Sequence, residues 1–244
     1  MRNNKLALVT GGTKGIGKAI ALMLLQEEYD VIVTYSRDTS AAKLFLEESQ
    51  KDYPDQNIQI FQADQSGLDD VSRLAEEVSR QGSIHCIVCN AGVTLRKSLK
   101  DTTDDEWLWA MNANVNSNVF LIRDILPCIA ENSRIVFIGS MMAVRPHATS
   151  LAYGVTKSAV HALALNLVKV FEGTGTTVNA IAPGFVETDW QKSKPQEIRN
   201  NIYGKTAMKR FASTEEVADA VRFCIHNQFV NGTIIEVSGG YDYK

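Results

Sequence analysis

Seven short runs of apolar, mostly β-branched residues recur along the chain, and between successive runs lies a stretch with the spacing of an amphipathic helix. The runs are Leu6–Thr10, Val31–Thr34, Ile58–Phe61, Ile84–Cys89, Arg134–Ile138, Thr177–Ile181 and Thr233–Val237. The helical stretches cover roughly 15–28, 39–51, 67–81, 104–130, 153–172 and 213–226. Strands that are apolar along their whole length are covered on both faces, and strict alternation with helices lays successive strands parallel. The predicted fold class is α/β, a doubly wound parallel sheet of about seven strands with helices on both faces. Neither a repeat nor a linker divides the 244 residues, so 1–244 reads as a single domain. Ser213 with Glu216 three residues on predicts a capping box that starts the last helix.

Composition narrows what such a domain does. A net charge of −3 with scattered lysines and arginines argues against a nucleic-acid surface. No apolar run approaches the roughly 18 residues of a membrane span. Met1-Arg2-Asn3-Asn4-Lys5 leads straight into the first strand, too short a run for a signal peptide, so a cytoplasmic location is expected. Cys86 and Cys89 form a CxxC on a strand, where the two side chains point to opposite faces, so neither a redox pair nor a zinc site is expected. Cys128 and Cys224 have no partner pattern, and histidines 85, 147, 161 and 226 lack ligand spacing, so no metal is expected.

The first strand runs into Thr10-Gly11-Gly12-Thr13-Lys14-Gly15-Ile16-Gly17, which opens the first helix. Glycines between a strand and a helix let backbone approach a pyrophosphate that the helix N-terminus then stabilises. The spacing is TGxxxGxG rather than GxGxxG, but its place at the start of a βαβ unit supports dinucleotide binding in a Rossmann-like fold. An acid at the end of the second strand would bind the ribose hydroxyl of NAD(H), whereas positive charge there accommodates the extra phosphate of NADP(H). In Val31-Ile32-Val33-Thr34-Tyr35-Ser36-Arg37 that place holds Tyr35, with Ser36 and Arg37 following and Lys14 in the glycine loop. NADP(H) is therefore expected ahead of NAD(H); Asp38 is the one residue nearby that points the other way.

Farther on, Tyr153 and Lys157 stand four apart on a predicted helix, hence on one face, and Ser140 lies thirteen residues before the tyrosine. An ammonium beside a phenol favours the phenolate, so Lys157 is expected to lower the Tyr153 pKa and make it an acid–base group for a carbonyl/alcohol pair. No histidine has a triad context, which leaves Ser140 a polarising donor rather than a nucleophile.

TGGTKGIG, Cys89-Asn90-Ala91-Gly92, Ser140 with YxxxK, and Pro183-Gly184 together resemble the short-chain dehydrogenase/reductase family, in order and spacing, over the whole chain. The resemblance implies roles residue by residue. Tyr153 would be the general acid, Lys157 would lower its pKa and hold the nicotinamide ribose, and Ser140 would bond the substrate oxygen. An asparagine of the preceding helix would hold a water of the proton relay; of Asn112, Asn114, Asn116 and Asn118, counting from Trp107 and back from Pro127 selects Asn114. Asp64 would meet the adenine, and Asn90, Ala91 and Gly92 the adenosine ribose. Pro183, Gly184, Val186 and Thr188 would meet the nicotinamide. Cys89 stands where the family usually has asparagine, a departure that touches only a contact behind the site.

Met208-Lys209-Arg210-Phe211 and Ser238-Gly239-Gly240-Tyr241 resemble the 3-oxoacyl-[acyl-carrier-protein] reductases of that family. The implied activity is NADPH-dependent carbonyl reduction, on a 3-oxoacyl thioester or on a free sugar, polyol or steroid. Helix 153–172 carries little positive charge for docking an acidic carrier protein, which leaves the choice open. A non-catalytic sensor or scaffold would be expected to lack Tyr153 or Lys157. The stripe Val160, Leu163, Ala164, Leu167, Val168 and Phe171 should face the sheet, while Ala162 and Leu165, near His161, leave apolar surface outside. A homo-oligomer, tetramer or dimer, is therefore expected. The polar stretch 189–211 reads as an irregular substrate lid, and it and residues 141–150 should select the substrate.

Overall fold

A computed structural model describes residues 5–145 and 151–242. Among them, β1 (Leu6–Val9), β2 (Asp30–Tyr35), β3 (Ile58–Gln62), β4 (Ile84–Cys89), β5 (Ile129–Ile138), β6 (Thr177–Pro183) and β7 (Ile234–Val237) form one sheet in the order β3-β2-β1-β4-β5-β6-β7. Every neighbouring pair is parallel. The order reverses between β1 and β4, and in such sheets ligands bind outside the carboxyl ends of the strands at the reversal.

Alternate strand residues enter two cores. On one face Val9, Val33 and Val88 meet Ile20 and Leu24 of α1 (Gly15–Gln26), Phe45 of α2 (Thr39–Asp52), and Val217 and Val221 of a later helix, α9 (Thr214–His226). On the other, Leu8, Ile32, Ile87 and Phe137 meet Val71 and Leu74 of α3 (Leu68–Arg80) and, farther along, Leu121 and Ile125 of α5 (Ser117–Ile125) and Val160 and Ala164 of α6 (Leu151–Leu167). Each fully buried leucine or isoleucine contributes about 1.5–3 kcal/mol relative to exposure. Cys86 lies in the first core and Cys89 in the second, as the period of two requires, and burial pushes both thiols up to about 12. Helix α9 begins with the expected box, Ser213 and Glu216 each bonding the other's backbone N–H.

Three elements differ from expectation. The stretch 104–130 is not one helix: α4 (Asp104–Met111) passes into a π-helical turn, Asn112–Asn116, before α5. Pro127 then holds the chain in a 3-10 turn, and β5 starts at Ile129, five residues before the apolar run that marked it. The stretch 189–211 is not irregular: it contains α7 (Asp189–Lys192) and α8 (Gln196–Lys205). Pro195 starts α8, whose apolar pair Ile198 and Ile202 is four apart but diluted by asparagines. His161 is buried rather than near the outer surface of α6, where Leu165 is exposed. Residues 146–150, including His147, and Met1–Asn4 lie outside the described residues.

Candidate active site

The glycine loop is fastened to three strand ends. Gly11 takes φ +64°, and its N–H donates to the Thr34 hydroxyl at 3.0 Å. The Thr10 hydroxyl accepts from the N–H groups of Asn90 and Ala91, and the Asn90 amide donates to the carbonyls of Thr10 and Gly11 at 2.9 and 3.1 Å. A methyl group at Gly17 would fall on the Gly11 carbonyl, so α1 leaves the loop at a distance only glycine allows. The first turn of α1 holds no acidic side chain, and Lys14 at its N-cap makes no side-chain cap, which leaves its N–H groups for an anion. Thr13 is buried under the loop, and Gly15 faces the Thr188 methyl.

Beside the loop a cavity of about 270 Å³ is lined by Tyr35, Ser36, Asp64, Asn90, Ala91 and Gly92. Gln65 lines it too, and its buried amide has no hydrogen-bond partner among the described residues. A purine base, with donors and acceptors on its edge, suits that residue. The two cations expected to favour the extra phosphate both have carboxylate neighbours. Lys14 bonds Asp38, the N-cap of α2, whose carboxyl it holds below the usual range, and Arg37 lies 3.8 Å from Asp64. The groove thus fits an adenine dinucleotide at both the loop and the base cavity.

Its inner end opens into a cavity of about 530 Å³ lined by Ser140, Tyr153 and Lys157 on one side and by Pro183, Gly184, Val186 and Thr188 on the other; Ile16 of the glycine loop also reaches it. Ser140 follows β5 and caps a short 3-10 turn: its hydroxyl oxygen accepts from the Met142 N–H at 3.2 Å. Burial raises the Tyr153 phenol above its ordinary value, and a bond with Ser140 lowers it only in part. The expected lowering by Lys157 is not found. The lysine Nζ donates to the Ile138 carbonyl at 2.7 Å and lies 5.8 Å from the centre of the tyrosine ring. Its own pKa is pushed down to about 8 by burial. For both groups desolvation is the largest cause, opposed by the Ser140 hydrogen bond at Tyr153 and by Cys89 at Lys157.

Asn114, on the π-helical turn, is fully engaged as a donor. Its amide donates to the Val93 carbonyl and to the Thr156 hydroxyl, both at 2.9 Å, and its oxygen accepts from the Val93 N–H at 2.7 Å. The Thr156 hydroxyl in turn donates to the Tyr153 carbonyl at 2.9 Å. Single π turns are frequent at functional sites. Asn118 bonds the Asn114 carbonyl, and Asn116 bonds Asn112.

The sequence reading missed several residues. His161, one turn beyond Lys157, is buried, and its Nε2 accepts from the Ser140 N–H at 3.4 Å. Burial and the Lys157 charge hold the imidazole below its ordinary pKa, hence neutral. A third position on the Tyr153–Lys157 face was its signal. Gln65 and the cavity residues Thr94, Arg96 and Lys194 carry no motif and are visible only in three dimensions.

The fold and the site together define a dinucleotide-dependent oxidoreductase, because a proton donor and a cation face the inner end of a nucleotide groove. Comparison with known proteins specifies the class. Residues 11–242 match the family model described as enoyl-(acyl carrier protein) reductase, and the chain belongs to the short-chain dehydrogenase/reductase family. It is 29% identical to the 3-oxoacyl-[acyl-carrier-protein] reductase FabG of Staphylococcus epidermidis, over 97% of this chain and 98% of that one. It is 30% identical to the acetoacetyl-CoA reductase of Allochromatium vinosum, with the same two coverages. A short-chain dehydrogenase of Burkholderia cenocepacia, solved in complex with NADP, superposes with a TM-score of 0.89 at 27% identity, covering 96% of each chain.

Proposed function

We propose that the protein is an NADPH-dependent carbonyl reductase whose substrate is a ketone, with 3-oxoacyl thioesters as the leading class. The observation that carries this is the buried phenol of Tyr153, held protonated beside Ser140 and facing the cavity with Lys157. Bound NADPH supplies the hydride. The Ser140 hydroxyl accepts from the Met142 N–H and bonds the Tyr153 phenol, so a substrate carbonyl oxygen placed between the two would take the serine hydrogen in the phenol's stead. Tyr153 delivers its proton to that oxygen. Lys157 uses one N–H on Ile138, which leaves two for the nicotinamide ribose and keeps a positive charge near the phenolate as it forms. A phenol protonated at neutral pH suits reduction, where a proton is given, better than oxidation, where one is taken. Asn114 acts through Thr156, which fixes the backbone of Tyr153.

NADPH is preferred because Tyr35 replaces the acid that would bind an unmodified ribose, and because Lys14 and Arg37 stand at the adenosine end. The 2′-phosphate competes there with Asp38 and Asp64. The acyl thioester class rests on the relatives from Staphylococcus and Allochromatium. A free ketone such as a sugar or steroid is the second reading: the sole cation on α6 is Lys157, which is buried, so that helix offers an acidic carrier protein no charge. Exposed Leu108 and Trp109 of α4, Val119 of α5, and Val155 and Leu165 of α6 support assembly as a homo-oligomer. Among the described residues no helix is long and apolar enough to cross a membrane.

The test is Tyr153→Phe with acetoacetyl thioesters, cyclic ketones, steroids and sugars as substrates. Turnover of the best substrate should fall by about 10²–10⁴, the usual worth of a general acid, while NADPH binding persists. Near-normal turnover would overturn the mechanism, and equal affinity for NADPH and NADH would overturn the cofactor choice.

A further inference from the structure

Two side chains of α6 reach the end of β5, where Ser140 emerges, and only one of them has a part in the steps proposed above. The ladder between β5 and β6 ends with the Gly139 N–H on the Ile181 carbonyl at 2.7 Å. On either side of that bond the strand is held by α6. Lys157 donates to the Ile138 carbonyl at 2.7 Å, and one turn later the His161 Nε2 accepts from the Ser140 N–H at 3.4 Å. Both side chains are buried. The imidazole packs directly on the strand: a methyl group at Gly139 would collide with its Nε2 and Cδ2.

Burial and the Lys157 charge keep the ring neutral, so one nitrogen carries hydrogen and the other does not. With Nε2 accepting, the hydrogen is on Nδ1, and that atom is buried with no hydrogen-bond partner among the described residues. A buried unpaired donor destabilises a fold. An apolar side chain would remove it but leave the Ser140 N–H without the ring, so the imidazole adds little net stability. What it adds is a definite position for the residue whose hydroxyl bonds the Tyr153 phenol. The backbone of Tyr153 is fixed separately, through Asn114 and Thr156.

We propose that His161 is a positioning residue: through the Ser140 main-chain N–H it sets where the serine hydroxyl stands relative to the Tyr153 phenol, and so how both meet the substrate oxygen. The ring lines neither the inner cavity nor the base cavity, so its effect passes through Ser140. The inference rests on the carbonyl-reductase reading of the site.

A double-mutant cycle tests it, with His161→Leu and Ser140→Ala made singly and together. His161→Leu should lower kcat about tenfold, less than the roughly hundredfold loss that an ångström of misplacement brings, with NADPH affinity and melting temperature close to the parent's. Ser140→Ala should lower kcat by about a hundredfold or more, and adding His161→Leu to it should change nothing further. His161→Gln, whose amide oxygen can take the place of Nε2, should recover most of kcat. Equal losses from His161→Leu in both backgrounds, no loss in the parent, or a loss that follows weaker NADPH binding overturns the proposal and leaves the reductase reading intact. Full turnover in Ser140→Ala overturns the role of the serine and the proposal with it. A further readout needs no turnover: nitrogen-15 spectra of the histidine side chains, with His161 assigned by its absence in His161→Gln. A neutral ring protonated at Nδ1, with faster exchange of the Ser140 amide in His161→Leu, upholds the positioning contact; if no ketone is then reduced, carbonyl reduction alone fails. A ring protonated at Nε2 overturns the contact whatever the activity.

Discussion

The wall that receives the dinucleotide is made from the ends of β1, β2 and β4, tied by bonds between the side chains of Thr10, Thr34 and Asn90 and the backbone of the neighbouring strand ends. The wall proposed to receive the ketone is made from the connections after β4, β5 and β6 and from the short helices α7 and α8. The first wall is specified by where backbone can go; the second is specified by which side chains project. Substitutions on the first should therefore act through main-chain collisions that no rotamer relieves, while those on the second should shift affinity by modest steps.

A pair of glycine-to-alanine changes breaks or sustains that contrast. At Gly17 the new methyl would meet the Gly11 carbonyl and the Asn90 amide, so α1 or the loop must shift. Overpacking of this kind costs about 1–3 kcal/mol, which is roughly a five- to 150-fold loss of NADPH affinity if the loop is what moves. At Gly204 in α8 a methyl would meet nothing within 4 Å, and alanine is the better helix former by about 0.8–1 kcal/mol. Gly204→Ala should leave NADPH affinity unchanged and melt no lower than the parent. Fluorescence titration with NADPH and thermal melts of both variants provide the check. Equal NADPH affinity in the two variants would remove the distinction between the walls.

The same contrast explains what could be read in the sequence. The strand ends and the glycine loop leave marks at fixed spacing, because a turn needing φ +64° at Gly11 or a contact that excludes a methyl at Gly17 tolerates few residues. Ser140, Tyr153, Lys157, Asp64 and the Pro183–Gly184 turn are legible for that reason: each sits at a strand end or on a helical period. Helix α8 was not, since its apolar pair is interrupted by Asn200 and Asn201. Nor was the break at Asn112–Asn116, because a π turn inserts a residue without changing composition. The sign of the Tyr153 shift was missed for a different reason. Spacing shows that a lysine is near, but only coordinates show that both groups are buried and that the lysine faces the Ile138 carbonyl.

That corrected electrostatics gives the intermediate effect, at the junction of the two walls. Lys157 is charged below about pH 8 and loses its proton above it, whereas Tyr153 is held above its ordinary value and stays protonated through this range. The proton donor thus survives while its supporting cation disappears. The sign follows: kcat/KM for reduction should be level on the acid side and fall up to about tenfold per pH unit once pH exceeds about 8. If Tyr153 were the lowered group, as spacing alone suggests, the limb would instead report loss of its proton. Ultraviolet difference titration of the parent against Tyr153→Phe separates the cases: no phenolate absorbance from Tyr153 should develop across pH 7–9 if the lysine titrates, and it should develop together with the limb if the tyrosine does.

The smallest effect belongs to the outer part of the ketone wall. Arg199 of α8 donates to Glu187 at 3.1 Å, to the Gln191 carbonyl at 2.9 Å and to the Tyr203 hydroxyl at 2.9 Å, and its guanidinium lies 4.7 Å from the centre of the Phe211 ring. Glu187 stands between Val186 and Thr188, so this one side chain ties α8 to residues that line the inner cavity. The pair is part-exposed, so solvent screens it and its worth is modest, as is that of the ring contact. Arg199→Met keeps the stem and loses the fork; α8 is then held less firmly, and KM for the ketone should rise about fivefold with kcat and NADPH affinity nearly unchanged. Arg199→Lys retains charge without the planar fork and should recover only part of the loss. Steady-state kinetics on the three proteins decides it. A fall in kcat at constant KM would show that Arg199 supports the proton-transfer groups rather than the position of α8, and would place the boundary between the two walls closer to α8.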